Sequence, residues 1–571
     1  MGDRAVAALI ALTLFLAPAL GATTDELLQD TLKSAVVSFG ALAAALAFFW
    51  NRTAPVRWHA GLFLPLSLML YALASMAWSH PYLAAVEAVR WFIFVLLMFL
   101  ALNVAHRDAA WGIVAGGAVA SLWAVLQFLF GFDVFPQGAR PGSTFINRNF
   151  LAEFVVCTLP FVAVLAANGK RTLLLSCIAG LEIAALCMAG TRSALVALGF
   201  LMLASLASIP WRTNLATIAV AAGIGIIPGT DGITALDRAA TRAVSMAPDD
   251  SSLAIRYGMW RATARMIAAH PLAGVGAGAW ENEVPWYQPP DAPVETDFYA
   301  HNEFLQLIAE YGVAGWAFLA GLAAWLVGAV RLAWRSADAR DRAWRLALLS
   351  SLAALFMVSS VGFAWHLAAT GALFAFCLGA LAGTQARREF EMPRASFIGV
   401  AACAFAAAFI TWEAVECERK LIGAAKLALS NPADKRPMLA MLAEGIAINP
   451  HYRKITPMVA DLLARQGDWQ DAIPVWESVL SARPHVVAIL TNTARGYIAT
   501  NRPQQAVSYI ERARLIQPDA PSVRSAEVLL LISLGRRAEA LQRGREALSR
   551  GIVDKDLEQA VKVLQMSASN G

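Results

Sequence analysis

The sequence predicts an all-α protein: a polytopic helical membrane domain of about 12–13 transmembrane helices over residues 1–415, then an α-solenoid of helix pairs over 416–571. Three observations carry this. Of 571 residues, 58% are hydrophobic and only 15% charged, where soluble domains carry about 25% charged residues. The charges are sparse before residue 415 and ordinary beyond it. The tail repeats with a step of 34 residues.

A transmembrane helix needs about 20 mostly apolar residues. Thirteen stretches approach that: Ala5–Leu20, Ser34–Trp50, Ala60–Trp78, Ala88–Ala105, Ala110–Phe130, Phe150–Ala167, Thr172–Ala189, Ser193–Ile209, Leu215–Pro228, Val313–Trp334, Trp344–Phe363, Leu367–Gly383 and Ser396–Thr411. Small residues at Ala17 to Ala22 also suit a cleaved signal peptide, but a chain with a dozen later spans does not need one. Lys and Arg in short loops mark the cytoplasmic side. With Arg4 inside, that side collects Arg52 and Arg57, Arg107, Lys170 and Arg171, Arg212, Arg331 to Arg345, and Arg387 to Arg394. The opposite face then receives the 131–149 loop, the Gly190-Thr191-Arg192 turn, the long polar segment 231–311 and the tail.

The net charge of +5 is small and matters through its placement. Six cysteines form no CxxC pair and sit mostly in apolar runs, so they read as small hydrophobes rather than metal ligands or disulfides. No nucleic-acid partner is expected. In the tail, Pro450, Pro484 and Pro518 are spaced by 34, as are Ala472, Ala506 and Ala540, and the turn positions Gly467, Asn501 and Gly535. This is the tetratricopeptide pattern, whose helix pairs bury their faces only by stacking. Such a solenoid binds a peptide or partner protein, or serves as a spacer or dimerisation arm.

Four clusters carry candidate chemistry. Ala300-His301-Asn302-Glu303 leads into Gly312-Val313-Ala314-Gly315 at the mouth of a membrane helix. A neutral imidazole at His301 can take a proton from an attacking hydroxyl near neutral pH. No second His or Cys stands nearby at metal-ligand spacing, so no metal is expected. In the first outer loop, Arg140 and Arg148 with Asn147 and Asn149 suit a phosphate, or Asn147 or Asn149 caps the next helix. Arg192 stands at the outer end of a span, where an arginine is costly unless paired or functional. Helical spacing places Arg256, Trp260, Thr263 and Ile267 on one face, and Arg256 among apolar residues needs an anion. Arg261 and Arg265 fall opposite, as a solvated face or lipid-headgroup contacts. The glycines of His270-Pro271-Leu272-Ala273-Gly274-Val275-Gly276-Ala277-Gly278 read as a tight return turn with no clear helix after it.

The His301-Asn302 pair with Gly312-Val313-Ala314-Gly315 resembles the signature of the O-antigen ligase and polymerase superfamily. Arg256 with Trp260 and the 270–276 turn resemble the family's segment before that His. Thr144 to Phe150 and Gly190-Thr191-Arg192-Ser193 resemble its outer-loop motif and Arg-bearing turn, with Val196 where one version of the motif has Leu. The resemblance covers roughly residues 5 to 415. It implies a metal-independent and cofactor-free integral membrane glycosyltransferase with a helical fold of the C type. Its donor would be an undecaprenyl-diphosphate-linked glycan, with no nucleotide sugar, and its partners would include membrane lipids. Site and tail would face the periplasm from the inner membrane. His301, Arg256 and Arg192 would then be catalytic, and Arg148, Arg140, Asn149, Asn302 and Trp260 would bind substrate. The leading acceptor is lipid A-core, as in an O-antigen ligase. A polymerase extending lipid-linked repeat units and a protein O-oligosaccharyltransferase are alternatives. The latter lacks its usual Gln-x-Asn-His pattern here, where Asn147-Arg148-Asn149-Phe150 stands. A transporter or scaffold is disfavoured, because the spans are nearly free of charge apart from Glu87, Glu153 and Glu182.

Overall fold

A computed structural model describes the chain except for residues 1, 24–27, 51–54, 105, 168–170, 209, 245–250, 290–298, 431–433, 453–454 and 570–571. Arg52, Lys170, the expected span ends Ala105 and Ile209, and two pieces of the polar segment (245–250 and 290–298) therefore lie outside the described residues. Each expected span falls on a helix. Among the described residues, eight helices are long and apolar enough to cross a membrane, and four shorter apolar helices accompany them. The stretch Leu215–Pro228 differs. It lies on helix Trp211–Gly225, which joins neither group, because its first turn carries Arg212, Thr213 and Asn214. The expected span Ser396–Thr411 is only the start of helix Arg394–Ser430, since no Pro or Gly follows Thr411 until Gly423.

The chain divides into two compact units. One holds residues 1–256, 267–278 and 299–415; the other holds 257–266, 279–298 and 416–571. Two helices, Ser251–Ala269 and Arg394–Ser430, contribute residues to both.

In the first unit, helix Arg148–Ala167 is buried on every side from Leu151 to Val162, and helix Ala368–Gly383 is nearly as enclosed. A helix that is apolar all round belongs in a core. Some polar groups within this core find partners on neighbouring helices. Ser351 donates to the Cys157 carbonyl at 2.7 Å, and Ser38 and Thr411 share a hydrogen bond of 2.9 Å. Lys33, which sequence reading passed over, is buried inside a span. Its ammonium donates to the carbonyls of Ala17 (2.9 Å) and Leu20 (2.8 Å) and to Thr144 Oγ1 (3.2 Å). The first helix, Gly2–Ala19, packs Val6, Ile10, Leu14 and Ala17 into this core. A short antiparallel pair, Val56–Trp58 with Arg388–Phe390, is the one sheet among the described residues.

The return turn at 270–278 follows from backbone bonding. Val275 N–H donates to the Ala309 carbonyl (2.9 Å), Gly276 N–H to Glu310 (3.0 Å) and Val313 N–H to Leu272 (2.9 Å). These bonds lock the turn onto the end of helix Glu303–Tyr311, where the chain breaks into helix Val313–Arg335. Gly312 makes the break at φ 54° and ψ −128°, a conformation essentially limited to glycine. A β-carbon there would come within 2.6 Å of the Gly274 nitrogen.

In the second unit the 34-residue step has a physical meaning. Ala472, Ala506 and Ala540 are fully buried where helices cross, and a larger side chain has no room there. Gly467, Asn501 and Gly535 adopt φ of 87°, 58° and 78° between paired helices, the left-handed turn that glycine and asparagine supply. Cys417, Leu421 and Ala424 on one helix and Met438 and Leu442 on the next add a helix pair before the first repeat. The turn at 278 is followed by a short helix, Trp280–Glu283, and a 3-10 turn, Val284–Tyr287, where the sequence showed no clear helix. This segment packs on the repeats. Arg483 pairs with Glu281, Asn282 donates to the Ala482 carbonyl (3.1 Å), and Gln517 donates to Gln288 Oε1 (2.7 Å). The Trp286 and His485 rings meet edge to face at 4.8 Å. The array therefore grips a segment of its own chain. Arg483 is 5% exposed, so Arg483→Ala leaves Glu281 without its cation and is expected to cost about 3 kcal/mol. Limited proteolysis of the full chain checks this: cleavage near 281–288 should speed up at least tenfold.

Candidate functional site

Helix Glu303–Tyr311 places the His301 turn. Asn302 is its N-cap, and Asn302 Oδ1 accepts from the Phe304 and Leu305 N–H groups at 3.1 and 3.0 Å. Such a cap contributes about 1 kcal/mol. The side-chain oxygen of Asn302 thus serves the helix, whereas the sequence reading gave this residue to substrate. His301 precedes the cap with φ 50°, a left-handed backbone that histidine visits only when held. Its ring meets Phe363 edge-on at 5.0 Å and is half-buried.

Phe363 joins segments that are far apart in sequence. It contacts Tyr299 (4.6 Å between rings) and Phe150 (5.1 Å) as well as His301. Phe150 lies in the first turn of helix Arg148–Ala167, beside Arg148 and Asn149. Asn147 Oδ1 accepts from Asn149 N–H at 2.9 Å, so Asn147 caps this helix. Asn149 Oδ1 accepts from Thr191 Oγ1 at 2.9 Å, which fixes the Gly190-Thr191-Arg192 turn alongside. Gly190 ends helix Thr172–Ala189 in the left-handed conformation.

Arg192 Nε donates to the Arg242 carbonyl at 3.1 Å. The charges of Arg238 and Arg242 reach Arg148. Arg238 pairs with Asp231 and donates to the Met188 carbonyl at 3.3 Å. Among the described residues, neither Arg148 nor Arg242 forms an ion pair. The charge of Arg256 reaches Glu153, one turn beyond Arg148 on the same helix. Ring contacts thus run from His301 through Phe363 to Phe150, beside Arg148 and Asn149, and Thr191 holds the Arg192 turn against Asn149.

Two further predicted residues are placed as follows. Arg140 is exposed and pairs with Asp133 at 2.7 Å. Trp260 lies past the unit boundary on helix Ser251–Ala269 and is half-buried. On the same helix Thr263 is fully buried and accepts from Trp280 Nε1 at 2.9 Å, while Arg265 is exposed.

Sequence reading missed several residues. Arg238 and Arg242 lie on helix Ala235–Val244, in a stretch with no distinctive motif; their i, i+4 spacing on one face was the available signal. Glu303 and His366 form a buried pair, with Nδ1 of His366 2.8 Å from Glu303 Oε2. Glu87 holds Arg90 with bonds of 2.5–3.1 Å and accepts from Tyr311 at 3.4 Å, while Trp91 donates to the Tyr311 hydroxyl at 2.8 Å. Nothing in the sequence places 87–91 opposite 311. A separate cavity of about 510 Å³, lined chiefly by apolar residues from Leu159 to Ser350, lies toward the other end of helix Arg148–Ala167 and contains none of these residues.

Burial, with the negative charge of Glu87 added, pushes the Glu310 carboxyl up to about 7; His366, the Gly278 N–H and Gln306 oppose the rise. The folded protein thus keeps a proton that the unfolded chain releases near 4.5. Between those values the unfolded state binds fewer protons, so stability falls as pH rises from 4.5 to about 7 and then levels off. Melting curves across that range should show this decline in wild type and a flatter profile in Glu310→Gln.

Residues 173–320 match the family model of the O-antigen ligase, and residues 463–530 match that of the tetratricopeptide repeat. The first match spans Arg192, Arg238, Arg242, Arg256 and His301, and the loop carrying Arg148 lies before it. A comparison with curated proteins gives no match.

Proposed function

We propose that this multi-pass membrane protein, which carries the O-antigen ligase family's domain at residues 173–320, transfers a glycan from an undecaprenyl-diphosphate carrier to an acceptor hydroxyl on the periplasmic face of the inner membrane, with lipid A-core as acceptor. The observation that supports it most is the gathering of arginines beside a histidine-bearing turn. Arg148, Arg192, Arg238 and Arg242 cluster at one end of the helices, and ring contacts through Phe150 and Phe363 lead from them to His301.

The chemistry follows from that arrangement. The acceptor oxygen bonds to the anomeric carbon as the bond from that carbon to the diphosphate oxygen breaks. The acceptor proton passes to the His301 imidazole. The diphosphate leaves with growing negative charge, which the guanidinium groups stabilise in a site of low dielectric. Because that charge grows during the reaction, arginine contacts lower the barrier more than they tighten the ground state. Arg242 and Arg148 are the guanidinium groups best placed to meet an incoming diphosphate, since neither is committed to a carboxylate among the described residues.

The test is lipopolysaccharide electrophoresis in cells lacking the gene, complemented with wild type or variants. Wild type should restore a ladder on core, and His301→Ala should leave bare core with lipid-linked polymer accumulating. With purified protein, Arg192→Ala and Arg242→Ala should each lower kcat on the order of a hundredfold. A ladder cut to core plus one repeat unit assigns a polymerase instead. An unchanged ladder with loss of glycoprotein assigns a protein acceptor.

A further inference from the structure

We propose that Glu303 is a positioning residue for His301, acting through the loop between helices Ala339–Ser359 and Ala368–Gly383. This rests on the reading of His301 as the proton acceptor.

Glu303 is 1% exposed, yet it lies two residues after a half-buried histidine on a polar turn. Its carboxylate is fully engaged with the 363–367 loop. Oε1 accepts from the Trp365 N–H at 2.6 Å and the His366 N–H at 3.3 Å. Oε2 accepts from His366 Nδ1 at 2.8 Å. One side chain therefore ties the His301 turn to a loop more than sixty residues away in sequence. Asp30 supports the far end of that loop, its Oδ1 accepting from the Ala368 N–H at 3.1 Å.

The loop returns the contact. Phe363 meets His301 at 5.0 Å and Tyr299 at 4.6 Å, and Tyr299 lies over the His366 ring at 4.4 Å. His301, Phe363, Tyr299 and His366 thus form a run of rings whose two ends are joined by Glu303. The closed circuit accounts for the left-handed backbone at His301. A non-glycine residue holds that conformation only where its surroundings overdetermine it. With the carboxylate removed, the loop loses three acceptor bonds, Phe363 can withdraw, and the imidazole is no longer aimed. Small misplacements of a reacting group are costly.

The experiment uses the full chain in lipid nanodiscs with a lipid-linked glycan donor. Glu303→Ala should lower kcat on the order of a hundredfold while KM for the donor stays within twofold. Glu303→Gln should recover most of the rate, because its amide oxygen still accepts from the two backbone N–H groups. The double variant Glu303→Ala/His301→Ala should be no slower than His301→Ala alone, since the first change acts through the second residue. Wild-type kcat in Glu303→Ala, or losses that multiply in the double variant, would overturn the proposal. A second readout does not need glycan transfer. In ¹⁵N-histidine spectra the His301 resonances should shift in Glu303→Ala and return toward wild type in Glu303→Gln, and unchanged His301 resonances overturn the proposal. If wild type transfers no glycan but the His301 resonances shift as expected, the glycosyltransferase reading fails and the positioning role stands.

Discussion

Three backbone hydrogen bonds fasten the turn at 272–276 to the end of helix Glu303–Tyr311, and the placement of His301 depends on them. Carbonyls at a helix end must be satisfied, and here the groups that satisfy them come from a distant turn. The bonds need two backbones in near contact. Gly274 at φ 61° and Gly312 at φ 54° permit that approach, because a β-carbon at either would meet the opposing main chain. The helix that follows His301 is thereby fixed at both ends, by Asn302 at its start and by this turn at its finish.

From that fixed helix, side chains reach inward in two directions. Glu303 holds the loop bearing Phe363 and His366, and Tyr311 meets Trp91 and Glu87 on helix Pro81–Asn103. Several buried ionisable groups here have partners: Glu87 with Arg90, Glu303 with His366, and one oxygen of Glu182 with Thr158. In a core made of membrane helices an unmatched charge would be expensive. The arginines near helix Arg148–Ala167 contrast with this economy. Four of them gather; among the described residues Asp231 pairs with Arg238, while Arg148 and Arg242 form no ion pair. Like charges assembled in this way repel.

The repeat array carries a comparable lesson on a different scale. Its helices stack through alanines, and its turns use left-handed glycine or asparagine. Part of its surface is taken by residues 280–288 of the same chain, through Arg483, Gln517 and His485. A tetratricopeptide surface is usually read as a site for another protein, and here it also serves an intramolecular ligand.

Much of the fold was legible in the sequence because it rests on local or periodic signals. Apolar runs of span length gave the membrane helices, and the 34-residue step gave the solenoid. The one span in neither apolar group, Leu215–Pro228, failed where polar residues crowd the first turn of its helix. His301, Arg192 and Arg256 stand out in the sequence because each residue type is unusual in its setting. Asn302 caps a helix with its side-chain oxygen, and a cap and a ligand look alike in one dimension. The sequence by itself determined which segments form long apolar helices, where the repeats fall and which motif bears the histidine, since hydropathy and turn chemistry are written residue by residue. Only the tertiary structure decided that Glu303 meets His366, that Arg238 and Arg242 join Arg148 and Arg192, and that Phe363 stands against His301. Those meetings depend on how helices pack across tens of residues of chain, and side-chain direction at such contacts is set by the neighbours, not by the local sequence.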